Sequence, residues 1–287
     1  MTAVGRVAEV WRYPVKSMGG ESLPSAELGP LGIAGDRGWA LRDERAGEIR
    51  GAKKMPVLMR CRARYDAEPN GERIPAATMT LPDGTRLRTG DADVNARLSA
   101  LVGRDVTLWP LQPADSLDHY RRGVPDNPDM ETELRSLFGR LPEEPLPDFT
   151  GLPPEIFEYT SPLGTYFDAF PVNLLTTASL RTLAAHNPQA QFDRRRFRPN
   201  FLVEPLGDAA GLLEVGWCGR RLRVGGAVLS IAIPAIRCSM TVQAADELPK
   251  DPSVLRTIVH DANQCLGVYA TVEKAGPVAV GDDVELL

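Results

Sequence analysis

The chain has 287 residues, 43% of them hydrophobic and 25% charged, with a formal net charge of −5. That length buries a sizeable core in one large domain or two modest ones, and the acidic balance gives no support to nucleic-acid binding, which needs a basic face. The N-terminus lacks the apolar core of a secretion signal and the longest apolar-rich stretch, residues 224–236, is too short to span a bilayer, so the expectation is a cytoplasmic protein without membrane attachment.

In chain order, residues 1–45 read as strands and turns. Apolar positions at Val7, Val10 and Trp11 run up to a break at Pro14, and Gly-rich turns flank a short strand over residues 38–42,. Residues 77–89 form a hairpin with Asp83-Gly84 at the turn,. A helix follows, capped by Asp91 or Asp93, with Val94, Leu98, Leu101 and Val102 on one face and Gly103 as its stop,. Residues 105–110 close this region as a strand. Between Pro110 and Pro162 lie ten of the 25 prolines, and one short helix runs there from the Asp129 cap to Gly139. Tyr120, Phe149, Phe157 and Tyr159 predict that this stretch packs on the surface and is not a free linker,.

Beyond it come a helix from Thr176 or Thr177 to Asn187-Pro188, a strand over residues 199–204 and two strands around Gly225-Gly226. A helix with Asp251 at its N-cap and Pro252 in its first turn follows, then two closing strands,. Strands and helices do not alternate. The fold class is therefore α+β, predominantly β: a β-barrel core with packed helices, not a doubly wound sheet.

Cytoplasmic thiols stay reduced, so Cys61, Cys218, Cys238 and Cys265 are expected to be free,. No two stand at Cys-x-x-Cys spacing, which disfavours a structural zinc site or an iron–sulfur cluster. Cys238 sits in the run 234–241, PAIRCSMT, beside Arg237. A neighbouring cation favours the thiolate, yet adjacent strand residues point to opposite faces. The usual reading of such a thiol is a buried, inert core residue; a nucleophile and a metal ligand stay open. A Cys–His pair has weak support, because His186 and His260 fall in the last turns of helices,.

Residues 194–200, RRRFRPN, hold four arginines. Such a run is commonly a solvated face. If it is extended, Arg196, Arg198 and Asn200 share one side and suit a planar anion. Lys16 and Ser17 after a proline turn, and Arg37 in the glycine turn 35–38, are ambiguous alone. There is no Walker A loop and no G-x-G-x-x-G. Lys16, Arg37, Arg196, Arg198 and Arg237 offer cations, Ser17, Thr177, Ser179 and Asn200 offer neutral hydrogen-bond groups, and Cys238 offers a soft sulfur. An anionic cofactor carrying a thiophilic metal uses all three.

Six segments in order, WRYPVKSMGGE, GDRGWAL, LLTTASL, RFRPNFLVE, PAIRCSMT and LGVYATVEKAGPVAVGDDVEL, resemble the MOSC family, named for molybdenum-cofactor sulfurase C-terminal domains, with its N-terminal β-barrel companion domain. The family includes amidoxime-reducing components and YcbX-like proteins. The resemblance implies a MOSC β-barrel core with packed helices plus an N-terminal β-barrel domain. It divides the chain into residues 1–110, a proline-rich connector over 111–160 and the MOSC domain over 161–287, with residues 1–50 folding back to complete the site. It implies the molybdenum cofactor, Mo-molybdopterin, with Cys238 as the metal ligand and catalytic centre. Lys16, Ser17, Arg37, Thr177, Ser179, Arg198, Asn200 and Arg237 are then its contacts; the cofactor is labile, and a purified preparation can lack it.

The activity implied is reduction of N-hydroxylated or N-oxide-type small molecules by oxygen-atom transfer to molybdenum. The chain ends at Leu287, so a separate ferredoxin- or cytochrome-type electron donor is expected. His119, Tyr120, Arg121 and Arg122 are candidates for the substrate mouth by residue type. The alternative is a cofactor carrier or sulfur-transfer module without reductase activity, since a thiolate also carries persulfide sulfur.

Overall fold

The computed structural model describes residues 1–69 and 73–287. Short strands dominate the N-terminal region: β1 (Thr2–Arg12), β2 (Glu21–Leu23), β3 (Ser25–Gly29), β4 (Gly32–Ile33), β5 (Trp39–Asp43), β6 (Glu48–Arg50), β7 (Arg62–Tyr65), β8 (Ala77–Thr80) and β9 (Arg86–Arg88), then helix α1 (Val94–Val102) and β10 (Val106–Pro110). β5 pairs with β6 and β10, and β7 to β9 form a meander. The β8–β9 hairpin turns at Asp83-Gly84, where Gly84 takes φ 84° and the Asp83 carboxylate accepts from Thr85 N,. α1 begins after Asp93, which makes no side-chain cap, and stops at left-handed Gly103. An apolar cluster that includes Met18, Leu41, Leu58, Met79 and Leu98 holds these elements together.

The connector carries α2 (Leu117–Tyr120) and α3 (Met130–Phe138). Asp129 caps α3 by accepting from Thr132 N, and left-handed Gly139 ends it. Its aromatic residues divide: Tyr120 and Tyr159 are buried, Phe149 is half-buried, and Phe157 is 63% exposed, meeting Phe149 edge-on at the surface.

The C-terminal region contributes β11 (Val172–Thr176), α4 (Thr177–His186), β12 (Phe201–Pro205), β13 (Arg221–Val224), β14 (Ala227–Ile236), α5 (Pro252–Asp261), β15 (Cys265–Lys274), β16 (Gly276–Ala279) and β17 (Asp283–Leu286). The closing segment thus holds three strands, not two. Neighbours run β12-β11-β15-β14-β13-β17-β1, and β1 pairs back onto β12, which closes a seven-stranded barrel. Of these pairings only β11–β12 is parallel. The first strand of the chain is therefore a stave in a barrel otherwise built from the C-terminal half. Val7, Val10, Leu174, Val203, Leu229 and Val268 fill its interior, alternating inward along each strand. α4 and α5 pack outside it over Leu183, Phe192, Val254 and Ile258. The molecule is mostly β, with five α-helices among the described residues. Among the described residues no helix is long and apolar enough to cross a membrane.

Candidate functional site

β1 ends at Arg12, and the chain turns back through Tyr13, Pro14 and Val15. The glycine turn 35–38 docks against that corner. Asp36 Oδ1 accepts from Tyr13 N (2.8 Å), Arg37 N donates to Tyr13 O (2.7 Å) and Trp39 N to Pro14 O (3.0 Å). Packing demands the flanking glycines: a Cβ on Gly38 would lie 2.3 Å from Tyr65 Oη, and one on Gly35 2.6 Å from Pro69 Cγ. Arg37 between them is itself left-handed, φ 53°.

Arg37, Arg198, Asn200, Arg237 and Cys238 line one small cavity of about 50 Å³. They come from the first glycine turn, the loop that leads into β12 and the loop after β14. Closure of the barrel through β1 brings these ends together. The guanidiniums of Arg37 and Arg198 flank the Tyr13 ring, 4.9 and 4.5 Å from its centroid, and Tyr13 Oη donates to Pro199 O (2.9 Å).

The free capacity of these groups is unequal. Arg237 is committed to the fold: Nε donates to Leu266 O (2.7 Å), Nη1 to Phe197 O (3.2 Å) and Nη2 to Asn173 Oδ1 (3.4 Å). Asn200 donates to Trp11 O and to Asp36 Oδ2 and accepts from Asn173 N. Arg37 pairs with Asp36. Arg198 uses Nε on Met18 O (3.2 Å), while its buried Nη2 has no partner among the described residues. Burial, and repulsion from Arg37, bring the Arg198 guanidinium down to about 10, still cationic at neutral pH,.

The run 194–200 is not extended. Residues 194–196 form a single 3₁₀ turn, with Asp193 accepting from Arg195 N, and Arg198 takes φ 52°. Arg196 also lines the cavity but is fully used on Gln191, Gln243 and Pro249 carbonyls. Arg194 stacks 3.6 Å from the Trp11 ring and pairs with Glu9. The face shared by Arg196, Arg198 and Asn200 on a strand does not exist, because the chain folds into that turn to satisfy these carbonyls.

Lys16 stands behind the cavity. Its Nζ donates to Tyr166 O (2.7 Å) and Asp168 Oδ1 (2.8 Å), and Asp168 lines the cavity. Burial lowers the Lys16 ammonium, with Asp168 opposing. For Asp168 burial acts upward, but Lys16 and Lys53 outweigh it and hold the carboxyl below the usual carboxylate range. Ser17 does not line the cavity: its Oγ accepts from Ala52 N (2.9 Å) and crowds the position a Gly51 Cβ would take. Thr177 and Ser179 do not join the cavity. Thr177 Oγ1 donates to Glu204, and Ser179 Oγ donates to buried Glu214 (2.6 Å), because the α4 N-terminus is aimed at these carboxylates. The group at 119–122 is likewise occupied elsewhere. His119 Nε2 meets Tyr166 Oη (2.7 Å), Arg121 pairs with Glu158, and Arg122 donates to Ile156 O.

Asp168, Asn173 and Tyr269 add polar groups to the wall that the sequence does not single out. Tyr269 lies in the GVYA segment and stacks on Phe170, 5.5 Å between centroids at 18°; burial pushes its hydroxyl up to about 12. Among the described residues no three His, Cys, Asp or Glu side chains group to hold a metal. A metal at Cys238 therefore needs ligands brought with it. The cationic wall and the orphaned Arg198 Nη2 fit an anionic carrier of such a metal. The small cavity alone does not hold a pterin; a second one of about 500 Å³, lined by Trp11, Tyr13, Phe192 and Arg194, adjoins it at Arg198.

The site thus sits in a barrel closed by the first strand, with one cysteine among buried arginines at the ends of its strands. Residues 4–109 match the MOSC N-terminal beta barrel domain and residues 164–285 the MOSC domain, so the chain belongs to the MOSC family. It is 26% identical over 306 residues to mitochondrial amidoxime reducing component 2 of Bos taurus, covering 98% of this chain and 83% of that protein. Solved structures similar to it include the YUAD protein of Bacillus subtilis, with 14% identity, TM-score 0.42 and coverage of 100% of this chain and 96% of that one. Another is YiiM of Geobacillus stearothermophilus, with 17% identity, TM-score 0.32 and coverage of 41% and 54%.

Proposed function

We propose that the protein binds the molybdenum cofactor through Cys238 and reduces N-hydroxylated or N-oxide-type small molecules. The observation that carries this reading is the convergence of Cys238, Arg37 and Arg198 on one cavity from distant parts of the chain. The reducing activity in the name of the bovine relative supports it. The net change is R–NH–OH plus two electrons and two protons giving R–NH2 and water. The cofactor, when bound, supplies an oxygen-atom acceptor that cycles by two electrons, and a ferredoxin- or cytochrome-type protein is the donor we expect.

The chain's own residues hold and orient. The Cys238 sulfur supplies one metal ligand. Arg198 Nη2 donates to an anionic oxygen of the cofactor, and Arg37 adds charge on the other face of Tyr13,. Asp168, held ionised by Lys16, accepts from an N–H or O–H group in the cavity. Arg237 and Asn200 keep the walls in place. Lys16 and Ser17 then act through Asp168 and the 13–19 turn, and Thr177 and Ser179 have no part in the site.

Elemental analysis tests this on protein made in a host that synthesises the cofactor. Wild type and the Cys61→Ala, Cys218→Ala and Cys265→Ala variants should retain near-stoichiometric molybdenum, and Cys238→Ala should lose it. Equal metal in all five removes the thiolate ligand. Metal retained without turnover of any N-hydroxylated compound, given an artificial donor, favours the carrier.

A further inference from the structure

The meander of β7, β8 and β9 has two unlike faces. Its register sets Arg62 opposite Thr80 and Thr80 opposite Arg86, and Arg64 opposite Thr78 and Thr78 opposite Arg88. Alternation turns Ala63, Tyr65, Ala77, Met79 and Leu87 into the core and leaves the four arginines exposed on the other side,. At the backbone they stand on the corners of a rectangle of roughly 7 by 10 Å, two residues along a strand and two strands across. No carboxylate lies on these three strands. The ion pairs of this face, among the described residues, are Arg62 with Asp246 (2.6 Å) and Glu247 (3.8 Å) and Arg88 with Asp66 (2.7 Å), which leaves Arg64 and Arg86 with none.

Charge on a sheet edge ordinarily blocks strand addition, and either sign serves for that. Here a single sign occupies both outer strands of the meander, in a chain whose net charge is −5. The place of the face matters as well. Arg62 reaches from β7 to Asp246 and lines the cavity of about 500 Å³, which meets the Cys238 cavity at Arg198. Its backbone also bridges to Gly19, another residue of that wall. The arginine face therefore borders the cavities in which the cofactor is proposed to sit. Guanidinium forks pair bidentately with carboxylates, and arginine is enriched where proteins meet. The three strands turn their one aromatic residue, Tyr65, inward, so the face has no platform on which a base would stack,. Charge complementarity thus favours an acidic protein over a nucleic acid.

We propose that the outer face of β7–β9 is the docking surface for the electron donor, a small redox protein with carboxylates around its prosthetic group. Arg64 and Arg86 supply the unpaired cations that steer it, and Arg62 marks the side on which it meets the cavity. Two donor molecules each give up one electron; with two protons taken from solvent, R–NH–OH becomes R–NH2 and water. The proposal rests on the reading of the protein as a reductase with an external donor.

The test uses molybdenum-loaded full-length protein, an N-hydroxylated substrate and two donors. One is an acidic [2Fe–2S] ferredoxin kept reduced; the other is reduced benzyl viologen, a small cation that needs no docking face. Arg64→Glu combined with Arg86→Glu should lower kcat/KM for ferredoxin about tenfold or more at low salt. The difference should vanish near ~0.5 M salt, where exposed charges are screened, and viologen-driven turnover should stay within about twofold of wild type, since these side chains lie outside the site. Arg64→Lys combined with Arg86→Lys keeps the charge and should stay within about threefold. A Glu variant that accepts electrons from ferredoxin as fast as wild type overturns the proposal. So does an equal loss with viologen, because the fold and not the docking would then be damaged. Wild-type turnover with viologen and none with ferredoxin overturns it too, and leaves the reductase reading intact. Wild type without turnover on either donor removes the reductase reading instead, and calorimetric titration with ferredoxin then decides the face: binding weakened about tenfold or more in the Glu variant supports it, and no binding by wild type overturns it. Binding of a short RNA duplex that is lost in the Glu variant, with no binding of ferredoxin, makes the face a nucleic-acid site and overturns the proposal.

Discussion

Ser17, Arg37 and Arg198 are three of the six described non-glycine residues with positive φ. Each such residue costs roughly 1 kcal/mol or more, and strain of this kind persists where surrounding contacts over-determine it. For Arg198 those contacts are the Met18 carbonyl and the Tyr13 ring, and they hold a buried N–H without a partner. The backbone pays in stability for aiming a cation into the cavity. Arg198→Gly should separate the two effects. Left-handed φ suits glycine and the unpaired charge is gone, so the metal-free protein should melt no lower than wild type, and up to about 3 °C higher. Molybdenum retention should fall about tenfold or more, as for a lost charge-assisted hydrogen bond. A marked drop in melting temperature with metal retained would make Arg198 a structural residue only. None of this strain was legible in the sequence, since Arg198 is held by Arg194 O through its backbone N–H and by Met18 O, far along the chain, through its side chain.

The elements that were legible are those fixed by local chemistry. α3 and α5 begin at Asp129 and Asp251, where the carboxylate accepts from a backbone N–H, and α3 stops at left-handed Gly139,. The 194–200 segment departs from the extended alternative because tertiary carbonyls win Arg196. Tyr269 and Asn173 escaped because a wall made of strand residues carries no motif of its own. Gly267 shows how one strand serves the site. It sits in β15 at φ 78°, and a Cβ there would lie 2.8 Å from Leu174 O and 3.0 Å from Arg237 Nη2. The strand needs a glycine both for its backbone and to admit the Arg237 side chain. Gly267→Ala should therefore destabilise by about 2 kcal/mol or more in urea unfolding, whereas the same change at Gly84, φ 84° with open space around it, should cost about 1 kcal/mol from backbone strain alone,. Equal losses at the two positions would show that the contact with Arg237 carries no weight.

At the scale of the molecule, the division of the chain by family match and the division by structure differ. The MOSC match begins at residue 164 and the N-terminal match ends at residue 109, yet β1 pairs with β17 on one edge and β12 on the other. Val7 and Val10 are inside the barrel core. Without β1 the ring opens, and β12 and β17 become bare edges with unpaired N–H and C=O groups, which invite strand addition and aggregation. The same strand leads directly into Tyr13, so opening the ring also removes the residue that Arg37 and Arg198 flank. Barrel closure and site assembly are thus one event, and the chain's first strand is the last stave. A fragment of residues 161–287 should accordingly show no cooperative thermal transition by circular dichroism and should elute as aggregate. Co-expression with residues 1–160 as a separate chain should restore a soluble complex, because the β1 pairings need no covalent link to the connector. A fragment that melts cooperatively as a monomer would mean the barrel closes by another pairing, and the cavity at Cys238 would then have to form without Tyr13 and Arg37.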